Sequence, residues 1–225
     1  MVQIHSYLGA LTAALQSAFG ARLAYVGLQG SYLRGEQTEN SDIDIMVLIN
    51  GLTPADMTVY RNIVKQLDDA EHSCGFLCGT EEFAAWNPQE ILHLLYSTRD
   101  HYGTLSDFVP PYSPVDHRNY VLLSLGNLYH ALVHRYVHRG AQRSAEKLSS
   151  HAKELFFLLQ DIALLRTGNF PENRAALVSS LNEEDRTVYR IVIEDARGAE
   201  YDFDAAFAEV FAWCRDRILE FGGKI

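Results

Sequence analysis

The sequence predicts an α/β (α+β) first half followed by an all-α helical bundle. In residues 1–109, short apolar runs bounded by glycines, which are typical of strands, alternate with segments of helical spacing. Three prolines in the six residues VPPYSP, at positions 109–114, break any regular element. The segments beyond them have helical spacing. We therefore expect two domains, residues 1–109 and 110–225.

The first half is expected to begin with an amphipathic helix over residues 3–18 that ends near Gly20. RLAYVGLQG and DIDIMVLI predict the first two strands, and Asn50-Gly51 closes the second. Residues 54–69 again have helical spacing, and HSCGFLC is the third predicted strand. Strands and helices are thus mixed throughout this half.

The second half is expected to begin at an N-terminal helix cap. Ser113 suits the cap position, Pro114 the first helical position, and Asp116 the acidic first turn. Glycine is the residue that most often ends a helix. The predicted helices span residues 115–139, 144–167, 174–196 and 203–221, with Gly140, Gly168 and Gly198 as stops.

The composition is that of an ordinary globular protein, with 48% hydrophobic and 21% charged residues in a chain of 225. No window holds about eighteen consecutive apolar residues, and the start lacks a basic segment before an apolar run. A cytoplasmic protein without a membrane partner is expected. The three cysteines form no C-x-x-C pair, which argues against a disulfide framework, and Cys74 and Cys78 are predicted to be small core residues.

The net charge of −10 is concentrated in the first half. Residues 1–111 carry 5 Lys and Arg against 13 Asp and Glu, whereas residues 112–225 carry 14 against 16. An acidic first half repels a polyanion, and it contains no basic run. We therefore expect no nucleic-acid partner.

Two acidic residues stand in an otherwise apolar strand within GSYLRGEQTENSDIDIMV, residues 30–47. Aspartate is depleted in strands, so Asp42 and Asp44 need a reason to be there. Alternation places them on one face, about 6.6 Å apart along the backbone. They repel each other unless water or a cation lies between them, and Mg²⁺ favours such oxygen ligands. A solvent-facing pair on an edge strand is the alternative.

Gly30-Ser31 directly follows the first predicted strand. Glycine lets the backbone approach a ligand closely, and the free N–H groups of such a turn, with the serine hydroxyl, can hold a phosphate. A phosphate site and a metal site a few residues apart are the combination that phosphoryl-type transfer needs.

This arrangement of Gly-Ser before S-D-I-D-I-M-V resembles the active-site signature of the DNA polymerase β-like nucleotidyltransferase superfamily. It is most similar to small two-domain members such as the aminoglycoside nucleotidyltransferases. The resemblance implies a small mixed sheet in the first domain and a helical substrate-binding domain after it. It also implies that Gly30 and Ser31 hold the nucleotide triphosphate and that Asp42 and Asp44 bind Mg²⁺ and are catalytic.

The family pattern also implies a third carboxylate near the start of a neighbouring strand, as a metal ligand or general base. No Asp or Glu lies inside HSCGFLC. Glu71 stands just before this segment, while Glu81 and Glu82 lie beyond it. Glu71 is therefore the expected catalytic carboxylate. The absence of a carboxylate from HSCGFLC is also compatible with a member of the superfamily that is impaired in catalysis.

Basic residues and histidines supply further candidates, each of which also reads as an ordinary surface residue. Arg34 is expected to contact the triphosphate. Among the basic residues of the second half, Lys153 is the one expected to contact the phosphates. The others are Arg135, Arg139 and Lys147. His130, His134 and His138 share one helix face, where a polar face lining the interdomain cleft is favoured over a zinc site because H-E-x-x-H is absent.

The expected function is Mg²⁺-dependent transfer of a nucleoside monophosphate, AMP from ATP or another NTP, to a hydroxyl of a small molecule. The alternative is a nucleotidyltransferase-like protein, impaired in catalysis, that binds nucleotide or regulates a partner. A polymerase or tRNA-modifying enzyme of the superfamily is disfavoured by the acidic charge.

Overall fold

The chain divides into two units, Met1–Tyr112 and Ser113–Ile225. The computed structural model describes residues 2–139, 148–194 and 202–223. In these residues the first unit is a sheet covered by helices, and the second is built from helices. The predicted fold class, an α/β (α+β) half followed by an all-α half, is therefore confirmed.

A mixed sheet of four strands organises the first unit. The strands are β1 (Leu23–Leu28), β2 (Ile43–Ile49), β3 (Ser73–Gly79) and β4 (Arg99–Tyr102). Their order across the sheet is β3-β2-β1-β4; β1 runs antiparallel to β2 and β4, and β2 runs parallel to β3. The three predicted strands are present. The edge strand β4 was not predicted, because its polar, largely exposed residues show no apolar alternation.

Strand β2 is buried on both faces over most of its length, which accounts for its nearly continuous apolar sequence. On one face, Ile43 belongs to a core cluster that includes residues of helix α1 (Ile4–Phe19). On the other face, Met46 packs in a cluster with Phe83. Asp44 shares this second face and is half-buried at the beginning of the strand.

The other helices of the first unit are short. They are α2 (Gly30–Arg34), α3 (Pro54–Val64), α4 (Thr80–Ala84) and α5 (Pro88–Tyr96). Helix α1 is followed by Gly20 at φ 54°, close to its predicted end. Helix α3 begins where predicted but ends at Val64, five residues before the expected residue 69. Helices α2, α4 and α5 were not predicted because each is too brief to show a helical period clearly.

The start of α3 is fixed by side-chain hydrogen bonds. The Thr53 hydroxyl accepts from the Asp56 N–H, and the Asp56 carboxylate accepts from the Thr53 N–H at 2.9 Å. Arg22 lies 2.6 Å from the same carboxylate. The Arg22 guanidinium and the Thr53 donors together hold the pKa of Asp56 far below its usual range. The ion pair between Arg22 and Asp56 connects the start of α3 to the turn before β1.

The second unit begins with helix α6 (Pro114–Arg139). Asp116 accepts from the Ser113 N–H at 2.8 Å and from its hydroxyl at 2.7 Å, which confirms the predicted cap and lowers the pKa of Asp116. The other α-helices within residues 148–194 and 202–223 are α7 (Ala152–Thr167), α8 (Arg174–Ser180), α9 (Glu183–Tyr189) and α10 (Phe203–Gly222), with a π-helical stretch over Arg190–Glu194. No helix of the described residues combines the length and apolarity that a membrane span needs.

The single helix predicted over residues 174–196 is wrong. The chain is extended at Leu181, and Asn182 caps a new helix by accepting from the Asp185 N–H at 2.8 Å. Helix α7 ends at Gly168 (φ 73°), as predicted. The predicted stops Gly140 and Gly198 lie outside the described residues.

The core of the second unit joins α6, α7 and α10. Leu125, Leu159 and Val210 are almost completely buried in one cluster. Asp185, which is 1% exposed, accepts from Trp213 Nε1 at 2.7 Å and pairs with Arg166. This partnering explains how a carboxylate is accommodated in an apolar interior.

Candidate active site

The Gly-Ser turn and the second aspartate lie in direct contact. Gly30 begins α2 with φ 69°, a conformation that side-chain-bearing residues rarely adopt. A Cβ atom at Gly30 would lie 1.9 Å from Asp44 Oδ2. Just before it, the Gln29 N–H donates to the Asp44 carbonyl at 2.8 Å. The fold therefore brings together the two halves of the predicted motif, and only glycine fits where they meet.

Asp42 and Asp44 occupy neighbouring positions at the beginning of β2. The strand begins at Ile43, so Asp42 immediately precedes it and is exposed, whereas Asp44 lies in it and is half-buried. Ile43 and Ile45 alternate with them and are buried on the opposite face. The two carboxylates therefore face away from the cluster that contains α1, as the alternation predicted.

The carboxylates of Asp42 and Asp44 suit a hard cation that also binds ligands from outside the protein. Two accessible aspartates offer oxygen ligands, and within the described residues no group of three or more His, Cys, Asp or Glu side chains is placed to hold a metal. Mg²⁺ is commonly bound by one or two carboxylates together with waters and substrate phosphates. The pair thus fits Mg²⁺ that binds with a nucleotide, rather than a metal enclosed by protein.

The position level with Asp44 on the neighbouring strand holds a thiol. In the parallel pairing of β2 and β3, Asp44 is the register partner of Cys74. Cys74 is exposed, so its prediction as a core residue is wrong, whereas Cys78 is buried as predicted. Partial desolvation, reinforced by the charges of Asp44 and Asp42, raises the pKa of the Cys74 thiol. Sequence reasoning missed Cys74 because the register of the strand pair was not known.

The candidate glutamates lie at opposite ends of β3. Glu71 is exposed in the single 3₁₀ turn that precedes the strand, three positions before Cys74. Glu81 and Glu82 begin α4 after the strand. Because β2 and β3 are parallel, Glu71 stands at the same end of the sheet as Asp42, and the other two glutamates stand at the far end. This placement favours Glu71, and its role stays a prediction.

The side chains predicted to contact phosphate differ in their surroundings. Ser31 is half-exposed in the first turn of α2. Arg34 Nε lies 3.0 Å from Glu36 Oε2, so this guanidinium is engaged in an ion pair. Lys153 belongs to the second unit, where it is exposed on α7 with its ammonium 5.9 Å from the centroid of Phe157. Ser31 directly follows Gly30, which contacts Asp44. The phosphate roles of Ser31, Arg34 and Lys153 stay predictions.

The three histidines of α6, His130, His134 and His138, are exposed and follow one another along the helix. The ring centroids of His130 and His134 are 6.0 Å apart, and those of His134 and His138 are 4.8 Å apart. Arg135 donates to the Ser150 hydroxyl at 2.7 Å. The side chains of Arg139 and Lys147 lie outside the described residues.

Comparisons with known proteins give a family-model match and a structural match. Residues 11–108 match the family model of a nucleotidyltransferase domain. Among solved structures, the chain is similar to spectinomycin adenyltransferase AAD(9) from Enterococcus faecialis, crystallised with ATP and spectinomycin, with a TM-score of 0.56. The two sequences are 16% identical, and the match covers 97% of this chain and 99% of that one. A search of curated sequences finds no significant match.

The family model covers the segment that contains Gly30, Asp42 and Asp44, and the structural match extends through the helical second unit. At this level of identity the structural likeness concerns the fold. The resemblance predicted from the sequence is confirmed: residues 11–108 match a nucleotidyltransferase domain, and the chain is similar in fold to the spectinomycin adenyltransferase.

Proposed function

We propose that the protein transfers a nucleoside monophosphate, AMP from ATP, to a hydroxyl group of a small molecule in a Mg²⁺-dependent reaction. The contact between Gly30 and the Asp44 carboxylate carries this proposal, because it unites a backbone turn suited to phosphate with an acidic pair suited to Mg²⁺. The structural neighbour, an adenyltransferase crystallised with ATP and spectinomycin, supports ATP and a small-molecule acceptor.

Each residue of the site has a proposed task. The backbone at Gly30 and the Ser31 hydroxyl bind triphosphate oxygens, and Asp42 and Asp44 hold the metal. Bound Mg²⁺ would neutralise phosphate charge and polarise the α-phosphorus. Arg34 is proposed to bind the triphosphate as well, which requires it to exchange its ion pair with Glu36 for the phosphate.

Transfer forms one bond and breaks another. The acceptor oxygen bonds to the α-phosphorus, the bond from that phosphorus to the bridging oxygen of the β-phosphate breaks, and pyrophosphate leaves. Glu71 is proposed to take the proton of the acceptor hydroxyl, because it is an exposed carboxylate at the same end of β3 as Cys74. Lys153 is proposed to contact the phosphates from the second unit.

A second candidate function is supported by Cys74. This thiol stands level with Asp44 where the family pattern places a carboxylate, and β3 contains no Asp or Glu. A protein that binds nucleotide without transferring it, as a regulator, is consistent with that substitution.

Incubation with labelled NTPs, Mg²⁺ and a panel of polyhydroxylated small molecules distinguishes the two candidates. The transferase predicts release of pyrophosphate and an acceptor that has gained one nucleoside monophosphate. Tight binding of Mg·ATP without pyrophosphate release for any acceptor would favour the binding protein.

Nucleotide binding is expected to depend on a divalent cation. Without one, the two aspartates and the acidic first half repel a triphosphate, so removal of Mg²⁺ should weaken ATP binding by at least about tenfold. Calorimetric titration with ATP in the presence of Mg²⁺ and of a chelator measures the difference. Equal affinities would contradict metal binding by Asp42 and Asp44.

Replacing Cys74 with aspartate is expected to strengthen metal binding. Cys74→Asp places a third carboxylate level with Asp44 and should tighten binding of Mn²⁺, used as a probe for Mg²⁺, by about tenfold, since ligand charge governs affinity for hard cations. The metal-free variant should unfold at a lower temperature, because the added charge repels Asp42 and Asp44.

Cys74→Ser is the matched control, since it changes the side chain without adding charge. Calorimetry with Mn²⁺ and thermal unfolding in chelator compare the two variants with the parent. Equal Mn²⁺ affinity in Cys74→Asp and Cys74→Ser would show that position 74 does not face the metal site.

A further inference from the structure

Three histidines lie in one row on helix α6, within the second unit. His130, His134 and His138 are spaced four residues apart, so their side chains follow one another along a single helix face. All three are exposed, and the proposed nucleotidyl transfer uses none of them. We call these three side chains the histidine row.

The rings of the histidine row lie at a separation that one metal ion can bridge. The ring centroids of His134 and His138 are 4.8 Å apart, and those of His130 and His134 are 6.0 Å apart. With metal–nitrogen bonds of about 2.0–2.1 Å, two imidazoles that share an ion have centroids roughly 5 Å apart. His134 and His138 therefore come closer to this geometry than His130 and His134 do.

The imidazole nitrogens of the histidine row are accessible to an ion. Among the described residues, none forms a hydrogen bond or an ion pair with the three rings, whose recorded contacts are with one another. A neutral imidazole carries one nitrogen lone pair that can be given to a metal. The row thus offers lone pairs that no described residue occupies.

Imidazole favours a different class of ion from the acidic pair of the first unit. Zn²⁺, Ni²⁺ and Cu²⁺ suit imidazole nitrogen, whereas Mg²⁺ prefers oxygen ligands and keeps several of its waters. The absence of H-E-x-x-H argues against a zinc site of the metalloprotease kind. It does not bear on a site formed by two histidines on successive helical turns.

We propose that His134 and His138 bind one divalent ion of the late first-row transition series, such as Ni²⁺, Cu²⁺ or Zn²⁺. Because His134 has a single lone pair to give, it cannot serve both of its neighbours at once. The row therefore holds one ion through two rings, and water fills the other coordination positions. Binding at the row depends neither on nucleotide nor on Asp42 and Asp44.

Calorimetric titration of the full chain with Ni²⁺, without an affinity tag, measures this site. Excess Mg²⁺ is present throughout, because it occupies the carboxylates of Asp42 and Asp44 and does not compete for imidazole. We expect one Ni²⁺ ion to bind at the histidine row of each chain. No binding of Ni²⁺ under these conditions would overturn the proposal.

Substitutions along the row identify the two ligands. Loss of an outer partner of a metal ligand already costs about 10–100-fold in affinity, so His134→Gln, which removes the shared ligand, should cost about a hundredfold or more. His138→Gln should cost about tenfold, because the wider pair remains, and His130→Gln should bind like the parent. Unchanged binding by His134→Gln would overturn the site. A larger loss in His130→Gln than in His138→Gln would overturn the assignment of the pair.

His101→Gln and Cys74→Ser are the controls, since each removes an exposed metal-binding side chain from the first unit. Both should bind Ni²⁺ like the parent. A loss in either that equals the loss in His134→Gln would place the ion in the first unit and overturn the proposal. Asp44→Asn should also bind Ni²⁺ like the parent while it loses Mg·ATP, so this proposal and the proposed function fail separately.

Discussion

Asp44→Asn is expected to reduce Mg·ATP affinity by about a hundredfold or more and to abolish transfer, without loss of folding stability. The substitution keeps the size of the side chain and removes one of two like charges at the beginning of β2. In metal-free buffer this relieves repulsion with Asp42, so the free energy of unfolding should be unchanged or slightly raised.

A structural role for Asp44 predicts the reverse. A carboxylate that satisfied buried donors would cost about 1–3 kcal/mol when its hydrogen bonds are weakened. Thermal unfolding in chelator, set beside Mg·ATP titration of the same variant, separates the two roles. A variant that unfolds several degrees earlier yet binds Mg·ATP like the parent would show that the acidic pair had been misinterpreted.

Gly30→Ala is expected to damage both the site and the fold. The new methyl group would lie 1.9 Å from Asp44 Oδ2, so the carboxylate has to move. A displacement of this order at a reacting centre costs about a hundredfold in rate. The backbone at φ 69° adds strain of about 1–2 kcal/mol for a residue with a side chain.

Gly35→Ala is the matched control for this substitution. Gly35 has nearly the same backbone angle, φ 70°, but a Cβ there meets nothing within 4 Å. Gly35→Ala should therefore lose about the same free energy of unfolding through backbone strain, and it should keep its affinity for Mg·ATP. Transfer rates, Mg·ATP titrations and unfolding curves of the two variants isolate the contact with Asp44. Equal Mg·ATP affinities in the two variants would mean that this contact does not shape the site.

Much of the site was predictable because its signals are local. Apolar runs bounded by glycines identified β1, β2 and β3, and the helical spacing of residues 115–139 identified α6. A family motif that spans only eighteen residues implied that Gly30 and Asp44 belong to one site, and the structure adds their contact. In each case the signal lay within a short stretch of neighbouring residues.

The features that were missed depend on pairing or on weak local signals. β4 is a polar edge strand that is held by its hydrogen bonds to β1 rather than by its own pattern. Cys74 became a candidate only when the register of β2 and β3 placed it level with Asp44. The break before α9 did have a signal, because Asn182 is followed by three acidic residues, which is typical of a helix start.

The most direct test is a crystal structure of the protein grown with Mn²⁺ and a non-hydrolysable ATP analogue. Anomalous scattering locates Mn²⁺ without reference to activity. We predict a peak in contact with the carboxylates of Asp42 and Asp44 and with the phosphates, and the triphosphate against the backbone at Gly30 and Ser31. A bound analogue whose phosphates lie away from Gly30, with no metal at Asp42 and Asp44, would contradict the assignment of this site.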